Sequence, residues 1–256
     1  NKNIRHFSIG YIKQNKKSFG NIKNTNNFNY SDIKHDCKIH YNYDTDRYTL
    51  LIPELIEDNI LESRNNEYIS IDPGERTFLT CLTKNKIIEC GTNIKDNIKN
   101  TLEKIKHIKK NKNIFFTEEK KKTIERKIEK KLKNQMEDAH WKLINYLVKN
   151  YKHIIIGNWS TKKCVNNNTS VLRGTDKNII LRLNYFKFKE RLKFKCSINK
   201  LNLIISDEYH TSQVCSNCTN QKIDLGGNKI YNCNKCNFVF DRDINSCKNI
   251  LCLNLH

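Results

Sequence analysis

Tyr68-Ile69-Ser70-Ile71-Asp72-Pro73-Gly74-Glu75-Arg76-Thr77-Phe78-Leu79-Thr80-Cys81-Leu82 holds two short β-prone runs with a turn between them. Tyr68 to Ile71 and Phe78 to Leu82 carry the branched and aromatic side chains that suit a pleated surface. Asp72-Pro73-Gly74 stops the first run, because proline has no N–H for a ladder and glycine accepts a sharp reversal. The stretch predicts a hairpin.

Working outward, His153-Ile154-Ile155-Ile156 and Leu201-Asn202-Leu203-Ile204-Ile205 are short apolar runs of the kind buried on both faces of a sheet. The span Leu181 to Lys200 between them has helical character. Strand, helix and strand in this order predict parallel pairing through a right-handed crossover. From about Ile94 to Lys149 the chain is heavily charged, and Ile124, Ile128, Leu132, Met136, Leu143 and Leu147 recur at helical steps, which predicts two long amphipathic helices. Hairpin, helices and crossover together indicate an α/β fold. Upstream, Cys37 to Tyr41 and Arg47 to Pro53 predict two further strands joined at Asp44-Thr45-Asp46. The stretch to about Asn29 has few apolar residues and no sustained period, and is expected to be loosely ordered.

In 256 residues there is room for one large domain or two modest ones. Lys and Arg number 47 against 27 acidic residues, a formal charge of +20, which favours a polyanionic partner, nucleic acid foremost. Codon bias from an AT-rich genome toward Lys, Asn and Ile is the alternative source of part of that charge. The Lys-rich faces at Lys104 to Lys112 and Lys120 to Lys133 either track phosphates or are merely solvated. No run of eighteen apolar residues and no signal-like start occurs, so a soluble, intracellular protein without a membrane partner is expected. Residue 1 is Asn, which suggests a piece of a longer chain or a processed product.

Cys215-Ser216-Asn217-Cys218 and Cys233-Asn234-Lys235-Cys236 set two C-x-x-C pairs fourteen residues apart, with Gly226-Gly227 between them. Each pair offers two thiolates from one tight turn, and two turns complete the tetrahedral shell of structural zinc with no position left for substrate. Cys37, Cys81, Cys90, Cys164, Cys196, Cys247 and Cys252 lack such spacing and are expected to be buried, small apolar residues.

Three carboxylates fall where strands end or a helix begins. Asp72 follows Ile69-Ser70-Ile71, Glu208 follows Leu203-Ile204-Ile205-Ser206-Asp207, and Asp243 opens Asp243-Ile244-Asn245-Ser246-Cys247-Lys248-Asn249-Ile250. Hydrolysing a phosphodiester without a covalent intermediate needs an activated water and neutralisation of growing negative charge, which two Mg²⁺ ions on converging carboxylates supply. Read singly, Asp72 is also ordinary turn chemistry and Asp243 is also a candidate helix cap.

Three segments in this order resemble the TnpB transposon-encoded nucleases and their relatives, the Fanzor proteins: Ile71-Asp72-Pro73-Gly74 with Arg76-Thr77-Phe78; Glu208-Tyr209-His210-Thr211-Ser212-Gln213-Val214-Cys215-Ser216-Asn217-Cys218; and Asp241 to Ile250. The resemblance runs from about Asp36 to Leu253. It implies an RNase H-like (RuvC) mixed sheet with flanking helices over 67–256, a zinc ribbon inserted at 212–240, and a β-rich remnant of an N-terminal lobe over 1–66. It implies Asp72 as the first catalytic carboxylate and Asp243, rather than Asp241, as the third. TnpB places its second carboxylate where this chain has Gly157. Fanzor-like members instead resemble this chain in having a small residue there and a glutamate before Thr-Ser-x-x-Cys, here Glu208. Guide-RNA dependence, a DNA substrate, a link to transposable elements and a nuclear location are likewise implied. Two rival readings stay open: a strand-joining transposase, and a catalytically inactive zinc-ribbon nucleic-acid-binding protein. Trp159 is read as packing on the sheet or stacking on a base. Cys247 stands where the family usually has alanine, and is expected to pack the last helix.

Overall fold

The computed structural model describes residues 6–8, 21–23, 33–42, 47–55, 66–112, 116–166, 172, 174–207, 210–223, 225–226 and 228–254. The chain divides into two compact units, Asn1–Glu57 and Asp58–His256. In the first unit, β1 (His6–Ser8) pairs antiparallel with β2 (Asn21–Lys23), and β3 (Lys38–Asn42) with β4 (Arg47–Leu51). The β3 and β4 strands match the two expected from the sequence, while their turn at Asp44-Thr45-Asp46 lies outside the described residues. The β1/β2 ladder falls where composition predicted no regular structure; its runs are only three residues each, too short to leave a period.

The second unit is built on a five-stranded mixed sheet. β5 (Asn66–Pro73), β6 (Leu79–Leu82) and β7 (Ile87–Cys90) run antiparallel, and β8 (Tyr151–Gly157) and β9 (Asn202–Ser206) run parallel to β5, in the order β7-β6-β5-β8-β9. The expected hairpin is β5/β6, and the expected parallel pair is β8/β9. β7 was not foreseen: Ile87-Ile88-Glu89-Cys90 is four residues of an edge strand, half of them exposed.

Strand alternation gives the sheet two different faces. Ile69, Ile71, Leu79, Cys81, Ile154 and Ile156 enter one apolar core with α1 (Ile94–Lys110), α2 (Glu118–Asn150), α4 (Gly174–Leu183) and α5 (Tyr185–Ile198), the short α3 (Thr161–Val165) lying between β8 and α4 in sequence. Ile69 and Ile71 are fully buried, and each stabilises the fold by roughly 1.5–3 kcal/mol. The opposite face carries Ser70, Asp72 and Thr80 and is covered by α6 (Arg242–Cys252).

Local chemistry sets the helix limits. Thr117 caps α2 by accepting the Lys120 N–H at 3.3 Å, with Glu118 and Glu119 favourably placed in its first turn. The helical span foreseen before β9 breaks at Asn184, whose left-handed φ of 51° separates α4 from α5. The periodic residues Leu132, Met136 and Leu147 of α2 are buried, and so are His140 and Ile144 on the same face. The Lys-rich face of α2 is open to solvent at Lys127, Lys130 and Lys131. Of the seven cysteines outside the two pairs, Cys81, Cys196 and Cys247 are buried, Cys37, Cys90 and Cys164 are half-buried, and Cys252 is exposed. Cys37, Cys90 and Cys164 thus meet the expectation only in part, and Cys252, in the last turn of α6, departs from it. Among the described residues no helix is long and apolar enough to cross a membrane.

Candidate active site and metal centre

Asp72 sits near the end of the central strand, opposite Thr80 of β6. The turn after it requires glycine: a Cβ on Gly74 would lie 2.8 Å from the Thr77 carbonyl oxygen, and the Gly74 N–H donates to the Phe78 carbonyl at 3.2 Å. Two buried hydrogen bonds lock α6 across this face. The Ser70 hydroxyl donates to the Cys247 carbonyl at 2.9 Å, and the Cys247 thiol donates to the Thr80 carbonyl at 3.0 Å. Asp243 lies one helical turn before Cys247 and so comes to the end of the sheet that carries Asp72.

Both acids act on the Cys247 thiol. Burial, then the Asp72 carboxylate, then Asp243 and Asp241 push the Cys247 thiol well above its ordinary range, so it stays a neutral packing group between acids. Burial also raises the Asp243 carboxyl, as does Asp241, while Arg242, Arg76 and Lys229 act the other way. Arg242 Nε lies 3.7 Å from Asp243 Oδ1. The helix cap is Asp241 rather than Asp243: its Oδ1 accepts the N–H groups of Asp243 and Ile244 at 2.9 and 3.3 Å. Its Oδ2 lies 3.4 Å from Lys229 Nζ. Asp241 is therefore occupied structurally, and Asp243 is left with a desolvated carboxylate.

Gly157, one residue beyond the Ile71–Ile156 pair, is level with Asp72, and it pairs in turn with Ser206 of β9. Glu208 follows two residues after Ser206 and lies outside the described residues, as does Arg173.

The four paired cysteines form the other centre. Among the described residues they are the one group of three or more potential ligand side chains found together, all within 4.8 Å. Cys215 and Cys236 sulfurs lie 3.7 Å apart, and those of Cys218 and Cys233 3.5 Å apart. Zn–S bonds of 2.3 Å in a tetrahedron place sulfurs about 3.8 Å apart, so the cluster fits a zinc ion. Both knuckles share one backbone pattern. Cys215 N–H donates to Asn220 O at 2.9 Å and receives Thr219 N–H at its carbonyl at 2.9 Å; Cys233 and Asn237 repeat this with Phe238, each at 3.0 Å. Thr219 and Asn237 take left-handed φ values of 60° and 54° at matching places. The Cys236 and Lys235 N–H groups hold the Cys233 thiol down to about 6. Cys218 goes up to about 12: the Asn220 N–H opposes the shift, but burial and the three other thiols outweigh it. Four thiolates in so small a volume repel one another until a cation joins them.

α6 fastens this ribbon to the sheet. Asn245, fully buried, donates to Val214 O at 2.7 Å and accepts Ser216 N–H at 2.9 Å. Asn249 donates to Thr211 O and Val214 O, both at 2.7 Å, and Ser246 donates to the Thr211 hydroxyl at 3.2 Å. The sequence motif beginning at Asp243 is thus also the clamp on the segment entering the first knuckle.

The chain matches the family profile described as "Cas12f1-like, TNB domain" over residues 185–250 and that described as "Probable transposase" over residues 52–168. TnpB-like proteins L79 and R854 of Acanthamoeba polyphaga mimivirus are each 33% identical to it over 220 residues, 83% of this chain and 42% and 41% of theirs. The chain belongs to the TnpB family. It spans less than half the length of these TnpB-like relatives. A solved structure, "Cryo-EM structure of the Cas12f1-sgRNA-target DNA complex", superposes with a TM-score of 0.51 at 20% identity, covering 79% of this chain and 52% of that one. At that identity the likeness concerns the fold, a mixed α/β unit around a mixed sheet. In this TnpB-family chain, one profile spans Asp72 and the other spans Glu208, Asp243 and the four cysteines.

Sequence reasoning missed several residues that shape the site. Tyr185 bonds the turn after Asp72, and Asn245 and Asn249 hold the ribbon. Trp159 packs: it stacks on Tyr185 with ring centres 4.8 Å apart, and its indole N–H donates to Cys164 Sγ at 2.9 Å. No local pattern marks such roles, since each depends on a partner distant in sequence.

Proposed function

We propose that this chain is the nuclease half of an RNA-guided DNA endonuclease of transposable elements, a RuvC-like domain over 67–256 with a structural zinc ribbon at 212–240, and that 1–66 is the remnant of an N-terminal lobe. The observation that carries the reading is the packing of α6 across β5 and β6, which sets Asp243 at the Asp72 end of the sheet. The parallel β8/β9 pair supports the relocated ligand. Gly157 carries no side chain at the level of Asp72 and pairs with Ser206, two residues before Glu208 in sequence.

Asp72, Glu208 and Asp243 would hold two Mg²⁺ ions, which supply an activated water and neutralise charge growing on the phosphorus oxygens. The chain's own residues prepare this site. β5 gives Asp72 a rigid support, partial burial disfavours the charge on Asp243, and Asp241 is held in the cap. Arg76, Arg242 and Lys229 surround the acids with positive charge suited to a phosphate backbone. Relatives in the solved complexes hold guide RNA and target DNA, and the net charge of +20 suits both partners.

The test is a crystal of the zinc-loaded chain soaked in Mn²⁺, with anomalous scattering used to find the ions. Peaks bounded by Asp72, Glu208 and Asp243 support the reading. Glu208 turned away with no peak would leave a nucleic-acid-binding module. Joined rather than cut strands in a Mg²⁺ assay would instead indicate a transposase.

A further inference from the structure

The last pair that β5 makes with β8 is Ile71–Ile156, whereas its ladder with β6 continues through Asp72–Thr80 and Pro73–Leu79. Asp72 is therefore at the point where the central strand loses one of its two neighbours, and Pro73 has no N–H with which to replace it. The Asp72 backbone bonds the Cys247 sulfur there, and the Gly74 N–H reaches Phe78 O at 3.2 Å.

Tyr185, the first residue of α5, adds a further hold. Its single hydroxyl proton is shared between Gly74 O, at 2.7 Å, and Phe78 O, the two carbonyls at either end of the loop 74–78. Its ring stacks with Phe78 at 4.7 Å and 12°, and with Trp159 at 4.8 Å and 19°. Trp159 lies two residues beyond Gly157, so one side chain joins the loop after β5 to the segment after β8. The same loop is tied to α1 by the Glu75–Lys95 ion pair at 2.7 Å. Tyr185 itself is 4% exposed, which shields these bonds from competing water.

We propose that Tyr185 is a positioning residue of the carboxylate site, holding the end of β5 so that Asp72 is preset for a divalent cation. The proposal rests on the nuclease reading above. A hydroxyl bridging two carbonyls cannot be replaced by water inside a stacked aromatic cluster without moving the rings apart. Its loss lets the loop drift, and a cation site must then spend part of its binding energy on ordering Asp72.

The experiment measures Mn²⁺ affinity of the zinc-loaded chain by electron paramagnetic resonance of the free ion, for wild type, Asp72→Asn, Tyr185→Phe and Tyr151→Phe. Tyr185→Phe keeps both stacks and loses only the hydroxyl. It should bind Mn²⁺ roughly five- to tenfold more weakly. In cleavage assays it should need correspondingly more Mg²⁺ while its rate at saturating Mg²⁺ stays near wild type. Tyr151→Phe removes another buried hydroxyl, at the opposite end of β8, where its partner is Tyr146. It should leave Mn²⁺ affinity unchanged. Equal weakening in both variants, or none in a folded Tyr185→Phe, overturns the inference alone. Wild type that binds no more Mn²⁺ than Asp72→Asn overturns the nuclease reading, and the inference with it. Should Tyr185→Phe fail to fold, Trp159→Leu loosens the same cluster from the side of β8, and an unchanged Mn²⁺ affinity there is equally fatal.

Discussion

Replacing Asn245 by alanine should unfasten the zinc ribbon from the sheet. The side chain has no exposed surface and makes two bonds to one short segment, to Val214 O at 2.7 Å and from Ser216 N–H at 2.9 Å. The two losses are unequal. Val214 O keeps a second donor, Asn249 Nδ2 at 2.7 Å, so that bond is worth about 0.5–1.5 kcal/mol. The Ser216 N–H loses its acceptor where little water reaches it, at about 1–3 kcal/mol. Together they predict a destabilisation of about 2–4 kcal/mol, which in a unit of this size lowers Tm by roughly 5–12 °C. Scanning calorimetry of the zinc-loaded chain measures it, and zinc release to a chelator should accelerate alongside. Asn245→Asp keeps an acceptor for Ser216 but sets a buried carboxylate against the Val214 carbonyl, and should be no more stable than the alanine variant. A shift below about 2 °C for the alanine variant would show that α6 does not hold the ribbon through this residue.

Cys218→Ser should abolish stoichiometric zinc and make residues 210–241 sensitive to protease while far-UV dichroism from the five-stranded unit persists, because the ribbon's own core of Cys215, Leu225, Tyr231 and Cys233 is too small to stand without metal. Retained protease resistance would argue against a zinc-dependent ribbon. Asp243→Asn should raise Tm in the absence of divalent ions, since burial disfavours its charged form in the folded chain, and should eliminate Mn²⁺ binding at the carboxylates; a lowered Tm contradicts this. His140 is buried, with Nε2–H donating to Leu183 O at 3.0 Å and Nδ1 facing Arg191 Nη1 at 3.3 Å, and burial brings it down from 6.5 to about 4. Between those values the unfolded chain binds the extra proton, so stability should fall as pH drops from about 6.5 to 4, by at most roughly 1.4 kcal/mol per pH unit from this group. A proton resonance of His140 titrating with a midpoint of 6 or above would exclude that account.

What the sequence determined by itself is what short-range physics encodes. A C-x-x-C turn brings its two sulfurs together by its own backbone, so the four cysteines were legible as a metal centre. A buried strand betrays itself by Ile154-Ile155-Ile156, and a long helix by Leu132, Met136 and Leu147. Asp72-Pro73-Gly74 marks a strand end because neither proline nor glycine suits the middle of a ladder. Even here the local signal thinned at the edges: β7 was too short and too exposed to declare itself, and the break at Asn184 depends on one residue adopting a left-handed backbone.

Only the tertiary structure decided which of these features meet. Ser70 and Cys247 are 177 positions apart, yet their hydrogen bond sets the place of α6, and with it Asp243, against the strand of Asp72. From sequence, Asp243 was the candidate helix cap. The folded chain gave that task to Asp241, whose carboxylate also faces Lys229, and left Asp243 half-buried beside Arg242. Tyr185 carries no motif and reads as one more core aromatic until Gly74 and Phe78 arrive at its hydroxyl. The physical reason is the same in each case: a hydrogen bond or a desolvated charge takes its meaning from a partner, and the partner is supplied by packing rather than by neighbours along the chain.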